Sequence, residues 1–422
     1  MRIPTAIYFR HCFLLFIRKS IKSRYVSVFD TKPEAAIKAL HDFLPLAGGE
    51  YTSNRNYDYG PMRRENVSTL SPWIRIRMLS EWQILSAVLQ IHSSSSASKF
   101  IDEVCWRTYW KGWLELRPSV WKDYISELAQ DRERWKEDVG YNQIITARSG
   151  IAAMDAWTSE LIENGYLHNH TRMWYASIWI HTLKLPWTLG ADFFLRHLLD
   201  GDAASNTLSW RWVAGLHTMG KVYLAQKSNI YKFTAGRHAL KMALATQSAE
   251  IETIQKITTP RKLAACKETV PRGRVGLLVH EEDLSAVSWL TGSCELVAVA
   301  GMLPFAAYQK YGIEEKVIQF RSDCMRSTLP KNAEIFNCPT KVAEWAHLQK
   351  LDAIIMAAPP VGFWDDLILD LESSLAARGI GIIKRRHWWD AHFYPAAGAG
   401  FFKYKKLIPS ALDKLVDEQT NP

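Results

Sequence analysis

One stretch, residues 164–212, limits what the rest of the chain can become. It runs Gly165-Tyr166-Leu167-His168-Asn169-His170-Thr171-Arg172-Met173, then Asp200-Gly201-Asp202-Ala203-Ala204-Ser205-Asn206, and closes on Trp210-Arg211-Trp212. Asn169 and Met173 stand four apart, as do Asp202 and Asn206, so each pair shares a face if the stretch is helical. Two acids, two amides, an arginine and a cluster of tryptophans are more polarity than a helix buried only for packing needs. They suit a pocket for a flat, hydrogen-bonding heteroaromatic ligand that borders a stacking surface.

The bulk numbers agree with such a reading. A length of 422 residues suits two or three domains. The 18 tryptophans favour stacking chemistry, and a net charge of +9 is compatible with a polyanionic partner such as DNA. Cys12, Cys105, Cys266, Cys294, Cys324 and Cys338 are scattered, with no C-x-x-C pair. That pattern points to reduced thiols and a cytoplasmic protein. It also supplies no four-cysteine iron–sulfur site in the central region, and no metal site is expected. Residues 1–30 form a basic extension whose apolar run, 12–17, is too short to cross a membrane.

Further along, residues 33–44 read as an amphipathic helix and 48–61 as a polar loop. Val67-Ser68-Thr69-Leu70-Ser71-Pro72 is a hydroxyl-rich turn into a helix, suited to cradling phosphate or to capping by Ser68 or Ser71. Residues 110–135 read as helix, and within 100–110 Glu103 and Arg107 are spaced for an ion pair along one helix. A basic segment, 217–234, carries Lys221, Lys227 and Lys232 as candidate phosphate contacts. Residues 31–240 are therefore expected as a helical domain, with 241–272 as a connector. From 273 to 412 the pattern changes. Apolar runs at 275–279, 295–300, 352–356 and 379–383 alternate with helical segments at 342–351 and 363–377, the rhythm of a doubly wound α/β domain with a parallel sheet. No G-x-G-x-x-G follows the first run, where His280-Glu281-Glu282-Asp283 stands, so no dinucleotide site is indicated there.

The central stretch, together with Tyr51-Thr52-Ser53-Asn54-Arg55-Asn56-Tyr57, the 67–72 turn, the helix Glu103-Val104-Cys105-Trp106-Arg107 and Gly150-Ile151-Ala152-Ala153-Met154-Asp155-Ala156, resembles the flavin domain of the photolyase and cryptochrome family. Leu167 stands where the family has Met, Val67 and Thr69 replace a hydroxyl and an arginine, the 150–156 run lacks a proline, and residues 139–147 are an insertion. The resemblance implies an all-helical FAD-binding domain of the cyclobutane-dimer photolyase type. Tyr51, Ser68, Leu70, Ser71, Arg107, Arg172, Asp200, Asp202 and Asn206 would line the flavin, with Asn206 at its N5 edge. Glu103, Trp106, Asn169, Met173 and Trp212 would line the lesion pocket. Trp210, Trp187 and Trp135 would form an electron-transfer chain.

The implied activity is light-dependent DNA repair, by electron transfer from reduced FAD to cyclobutane pyrimidine dimers. The alternative is a cryptochrome-like blue-light flavoprotein without repair. The implied partner is UV-damaged DNA, with no membrane span and a monomeric chain. The Asn169/Met173 pair resembles enzymes for cyclobutane dimers, whereas (6-4) enzymes carry histidines at both positions. Residues 398–409 are similar to the end of the family's α/β antenna domain. The region 273–412 is then a candidate rearranged antenna, whose chromophore the sequence leaves open.

Overall fold

The expected helices form, and their ends follow local chemistry. The computed structural model describes residues 29–218, 221–251, 253, 259–266, 272–290 and 295–420, with side chains to 417. The basic extension to residue 28, Cys294 and parts of the connector lie outside these. The first helices are α1 (Pro33–Phe43), α2 (Gly49–Asn54), α3 (Ser71–Arg75) and α4 (Glu81–Leu89). At the start of α4, Ser80 and Gln83 make a reciprocal capping box. Helix α3 has no side-chain cap. Leu70, not Ser68 or Ser71, occupies the capping position.

The segment read as one helix over 110–135 is two, α5 (Ser98–Glu115) and α6 (Ser119–Trp135). Pro118 between them has no N–H to donate and cannot continue α5. Buried residues on every side of α5, from Phe100 to Leu114, make it the axis around which other helices pack. Gly112 is required there, because a Cβ would stand 2.8 Å from the ring of Tyr394.

The insertion folds as α7 (Val139–Ile145), and α8 (Ala152–Asn164) ends at Gly165, whose φ of 65° is the left-handed closure glycine tolerates. Next come α9 (Asn169–Ser177), a π-helical turn (Ile178–Thr182), α10 (Trp187–His197), α11 (Ala203–Val213) and α12 (Lys227–Phe233). Trp157, Trp174, Trp179 and Trp187 are fully buried among these helices, each worth up to about 3 kcal/mol of transfer free energy.

The second region alternates β1 (Val275–His280), α13 (Ala286–Trp289), β2 (Leu296–Met302), α14 (Phe305–Tyr311), α15 (Glu315–Thr328), β3 (Glu334–Phe336), α16 (Pro339–Leu348), β4 (Ala353–Ala357), α17 (Asp365–Ala376) and β5 (Gly381–Arg385). Its five strands are parallel, in the order β3-β2-β1-β4-β5. The order reverses between β1 and β4, and both are buried along their length, as their unbroken apolar runs predict. Strand β3, absent from the sequence reading, is a three-residue edge too short to carry a pattern. The chain closes with α18 (Trp388–Phe393), α19 (Phe401–Tyr404) and α20 (Ile408–Thr420). From Thr31 onward the helical and sheet regions cluster as one unit. No described helix is long and apolar enough to cross a membrane.

Candidate functional site

The turn Asp200-Gly201-Asp202, between α10 and α11, is held by four arginines from four different elements. Arg172 of α9 forks onto Asp200, Nη1 to Oδ1 at 3.0 Å and Nη2 to Oδ2 at 2.8 Å, while its Nε donates to the Leu167 carbonyl at 2.9 Å. Arg107 of α5 donates to Asp202 Oδ2 at 2.7 Å. The Gly201 carbonyl accepts from Arg75 Nε of α3 at 3.0 Å and from Arg321 Nη2 of α15 at 2.8 Å. Asp202 also caps α11, its Oδ1 accepting from the N–H groups of Ala204 and Ser205. Burial works to raise the Asp202 carboxyl, but Arg107, Lys111 and the cap outweigh it and hold it below the usual range. Asn206, one turn on, donates from Nδ2 to the Ala191 carbonyl at 2.7 Å. In the first turn of α11 the buried Ser205 hydroxyl has no hydrogen-bond partner among the described residues.

A second group lies along α2, α5 and α8. Tyr51 packs edge-on against Phe43 and Phe100. Glu103 does not pair with Arg107 along α5 as the spacing allowed; it takes Arg55, and Arg107 turns to Asp202. Tyr166 lies under the guanidinium groups of both Arg64 and Arg172, at 5.1 and 5.4 Å. Ser68 and Ser71 flank Thr69, whose φ of 50° is left-handed, just before the uncapped start of α3. Neither serine hydroxyl has a hydrogen-bond partner among the described residues, which leaves both able to meet an anion.

The family model for the FAD binding domain of DNA photolyase matches residues 100–236. Residues 100–236 are thus similar to the FAD-binding domain of the photolyase/cryptochrome family. Among similar proteins is the deoxyribodipyrimidine photo-lyase of Escherichia coli, 28% identical over 200 residues, 46% of this chain and 42% of that protein. The photo-lyase of Streptomyces griseus is 32% identical over 156 residues, 36% of this chain and 33% of that one. A bacterial class III photolyase from Agrobacterium tumefaciens aligns with 26% identity and a TM-score of 0.41, covering 48% of this chain and 43% of that structure. The chain thus matches less than half the length of each of these relatives.

FAD is the cofactor of the photolyase-type domain. Of the residues singled out from sequence, Arg172 with Asp200 and Arg107 with Asp202 meet as ion pairs around one turn. Leu70 is fully buried. Asn169, exposed, and Met173, half-buried, both lie on α9, and Trp212 stacks on Tyr223 at 5.6 Å. Trp106 lies parallel to Phe401 of α19, with ring centroids 3.7 Å apart and planes 7° apart.

Trp210 and Trp187 stand on neighbouring helices with different ring partners, Trp179 and Phe194 for the first and Tyr124 for the second. Gly190 makes room for Trp210, since a Cβ there would stand 2.3 Å from its ring. Trp135 ends α6, half-buried, with its Nε1 buried and without a hydrogen-bond partner among the described residues. Lys221, Lys227 and Lys232 are exposed, and Lys232 lies over Phe233.

Sequence reasoning missed a buried ionic cluster where the carboxyl ends of β1 and β5 meet α3 and α5. Arg75 donates to Glu282 at 2.6 Å, and Lys111 reaches the same carboxylate at 3.2 Å. Arg77 donates to Glu81 at 3.0 Å, to Asp283 at 3.1 Å, and to Asp390 at 2.7 and 2.6 Å. The signal was present in Trp73-Ile74-Arg75-Ile76-Arg77-Met78-Leu79, two arginines inside an apolar run, and in the acids that follow β1. Nothing in either pattern says that they meet.

Buried histidines make stability depend on pH. Burial pushes His168 and His197 down to about 3, and His217 and His387 down to about 4. A base with a lowered folded pKa stabilises the fold fully above its unfolded value near 6.5, and that stability is lost as pH falls, because only the unfolded chain takes the proton. Glu160 and Glu281, pushed up to about 7 mainly by burial, act oppositely between about 4.5 and 7. Among the groups shifted furthest, four histidines against two carboxyls leave a net loss. Urea denaturation at pH 5 is expected to show a fold weaker than at pH 7 by roughly 2–4 kcal/mol. Equal or greater stability at pH 5 contradicts this.

Proposed function

We propose that this chain is a light-driven repair flavoenzyme that splits cyclobutane pyrimidine dimers in DNA. The observation that carries the reading is the Asp200–Asp202 turn, gripped by Arg172 and Arg107 inside the region that matches a photolyase FAD-binding domain. The residues present suit the cofactor. The unbonded hydroxyls of Ser68 and Ser71 and the left-handed Thr69 suit a phosphate, Tyr51 lies near them in sequence, and the orphaned Ser205 hydroxyl suits a polar ring edge. Arg107, Arg172, Asp200, Asp202 and Asn206 would hold the heteroaromatic part. Bound and reduced, FAD supplies a light-excited one-electron donor. We keep 31–240 as the flavin domain and 273–412 as the α/β domain, and assign Trp210, Trp187 and Trp135 as an electron path.

The chain's own part in repair is to extrude, orient and shield the lesion. Trp106 and Trp212 offer aromatic faces to an extruded dimer. The Asn169 amide hydrogen-bonds base edges, and the Met173 thioether packs the dimer. A (6-4) adduct needs a proton donor as well. His168 is spent on capping α9, where its Nδ1 accepts from the His170 N–H, and burial holds it at about 3. His170 donates through Nδ1 to the Asn56 carbonyl, and burial lowers it too. Neither histidine is a proton donor near neutral pH, so the site suits cyclobutane dimers.

Two observations favour the second reading, a blue-light flavoprotein without repair: Glu103 is committed to Arg55, and one face of Trp106 is taken by Phe401. Blue light on the reduced protein with matched oligonucleotides separates the two. Repair of the cyclobutane substrate and not of the (6-4) substrate is expected. Repair of the (6-4) lesion alone overturns the assignment, and flavin photochemistry with repair of neither supports the second reading.

A further inference from the structure

The short helix α19 presents two adjacent phenylalanines to opposite environments. Phe401 is buried face to face on Trp106, whereas Phe402 is 87% exposed. This segment is not a loose tail. Tyr109 donates to the Ala399 carbonyl at 3.0 Å, Tyr404 donates to the Cys105 carbonyl at 3.3 Å, and Lys405 pairs with Asp102 at 2.5 Å. Tyr394 sits against Gly112 in a gap that admits no Cβ. Four contacts from residues 394–405 to α5 therefore hold the segment that carries α19, and Phe402 is an apolar ring held in water.

Its neighbours carry uncommitted charge. Lys405 is neutralised by Asp102, but Lys403 and Lys406 are exposed and have no ion-pair partner among the described residues. An aromatic ring flanked by two free ammonium groups, one residue from a ring stacked on Trp106, matches a damaged duplex. The ring fills the gap an extruded nucleotide leaves, and the lysines meet the flanking phosphates.

We propose that Phe402, with Lys403 and Lys406, is a DNA-contacting wedge beside Trp106. Phe401 is the positioning residue, which fixes the plane of the half-buried Trp106 from one side, while Trp110 meets it at 5.2 Å. The proposal rests on the reading of this chain as a protein that binds dimer-containing DNA.

The test uses the full, flavin-loaded chain and fluorescence anisotropy on two probes, a duplex with one cyclobutane dimer and the same damaged strand alone. Phe402→Ala is expected to weaken duplex binding about tenfold and single-strand binding far less, because a single strand leaves no stacked gap to fill. The double variant Lys403→Ala with Lys406→Ala is expected to weaken both and to flatten the log-log salt dependence on the duplex by about 2. Since these side chains are exposed, melting temperatures should match wild type. Duplex binding by Phe402→Ala equal to wild type overturns the wedge, and so does an equal loss on both probes. A Phe402-dependent dimer in sedimentation also overturns it, by giving the ring a second copy as its occupant. Failure of the wild-type chain to prefer dimer-containing DNA removes the repair reading and the wedge with it, a result distinct from a wild-type preference that Phe402→Ala retains.

Discussion

Replacing Arg77 by Ala is expected to remove about 3–5 kcal/mol of stability, the largest single-site loss in the chain. Arg77 is 3% exposed and bridges three carboxylates, those of Glu81, Asp283 and Asp390. Without the guanidinium these acids are left close together, buried and without their shared cation. Each must then repel the others or take up a proton. Asp390 is held below the usual carboxylate range chiefly by Arg77, against the pull of burial, so removing Arg77 sends it upward. Arg77→Lys should recover only part of the loss, because a single ammonium cannot fork onto three acids. Urea denaturation at neutral pH checks this. A loss below about 1 kcal/mol would mean that the cluster is solvated and contributes little.

Loss of flavin is the expected result of Asp200→Ala. Asp200 is 8% exposed and takes both arms of Arg172. Its removal strands that guanidinium over Tyr166 and frees the turn that places Asp202 and Asn206. Breaking a buried pair on one side typically removes several kcal/mol, so cofactor affinity should fall on the order of 100-fold or more. The ratio of flavin to protein absorbance after gel filtration reads this directly. Arg172→Ala should behave alike, and Asp200→Asn, which keeps the shape and one acceptor, should lose less. Retention of flavin at the wild-type ratio by both alanine variants would exclude this turn from the cofactor site.

Most of the helical region was legible because its constraints are local. The spacing between Asn169 and Met173, the acids of the 200–202 turn, the glycine that ends α8 and the run of tryptophans all act over a few residues. The resemblance set Arg107, Arg172, Asp200 and Asp202 around one ligand, but that Arg107 takes Asp202 rather than Glu103 is a product of packing. The central strands were equally plain, since β1 and β4 are buried on both faces and hence apolar throughout. Strand β3 escaped because three residues at an edge show no period. The break at Pro118 was overlooked where an apolar, Trp-rich pattern continued across it.

The rest depends on contacts that no local pattern encodes. Sequence alone established a Trp-rich helical flavin-type region followed by a parallel α/β region, because period and polarity are properties of single elements. It left Arg75 and Arg77 in an apolar run without partners, and Phe401 in a segment noted only for its similarity to the end of an antenna domain. Only folding brings Glu282, Asp283 and Asp390 to those arginines, Arg321 to the Gly201 carbonyl, and Phe401 onto Trp106. Their separations in sequence run from 120 to 313 residues for the bonded pairs. At such distances the choice of partner is set by how whole elements pack and by the desolvation of every charge they enclose.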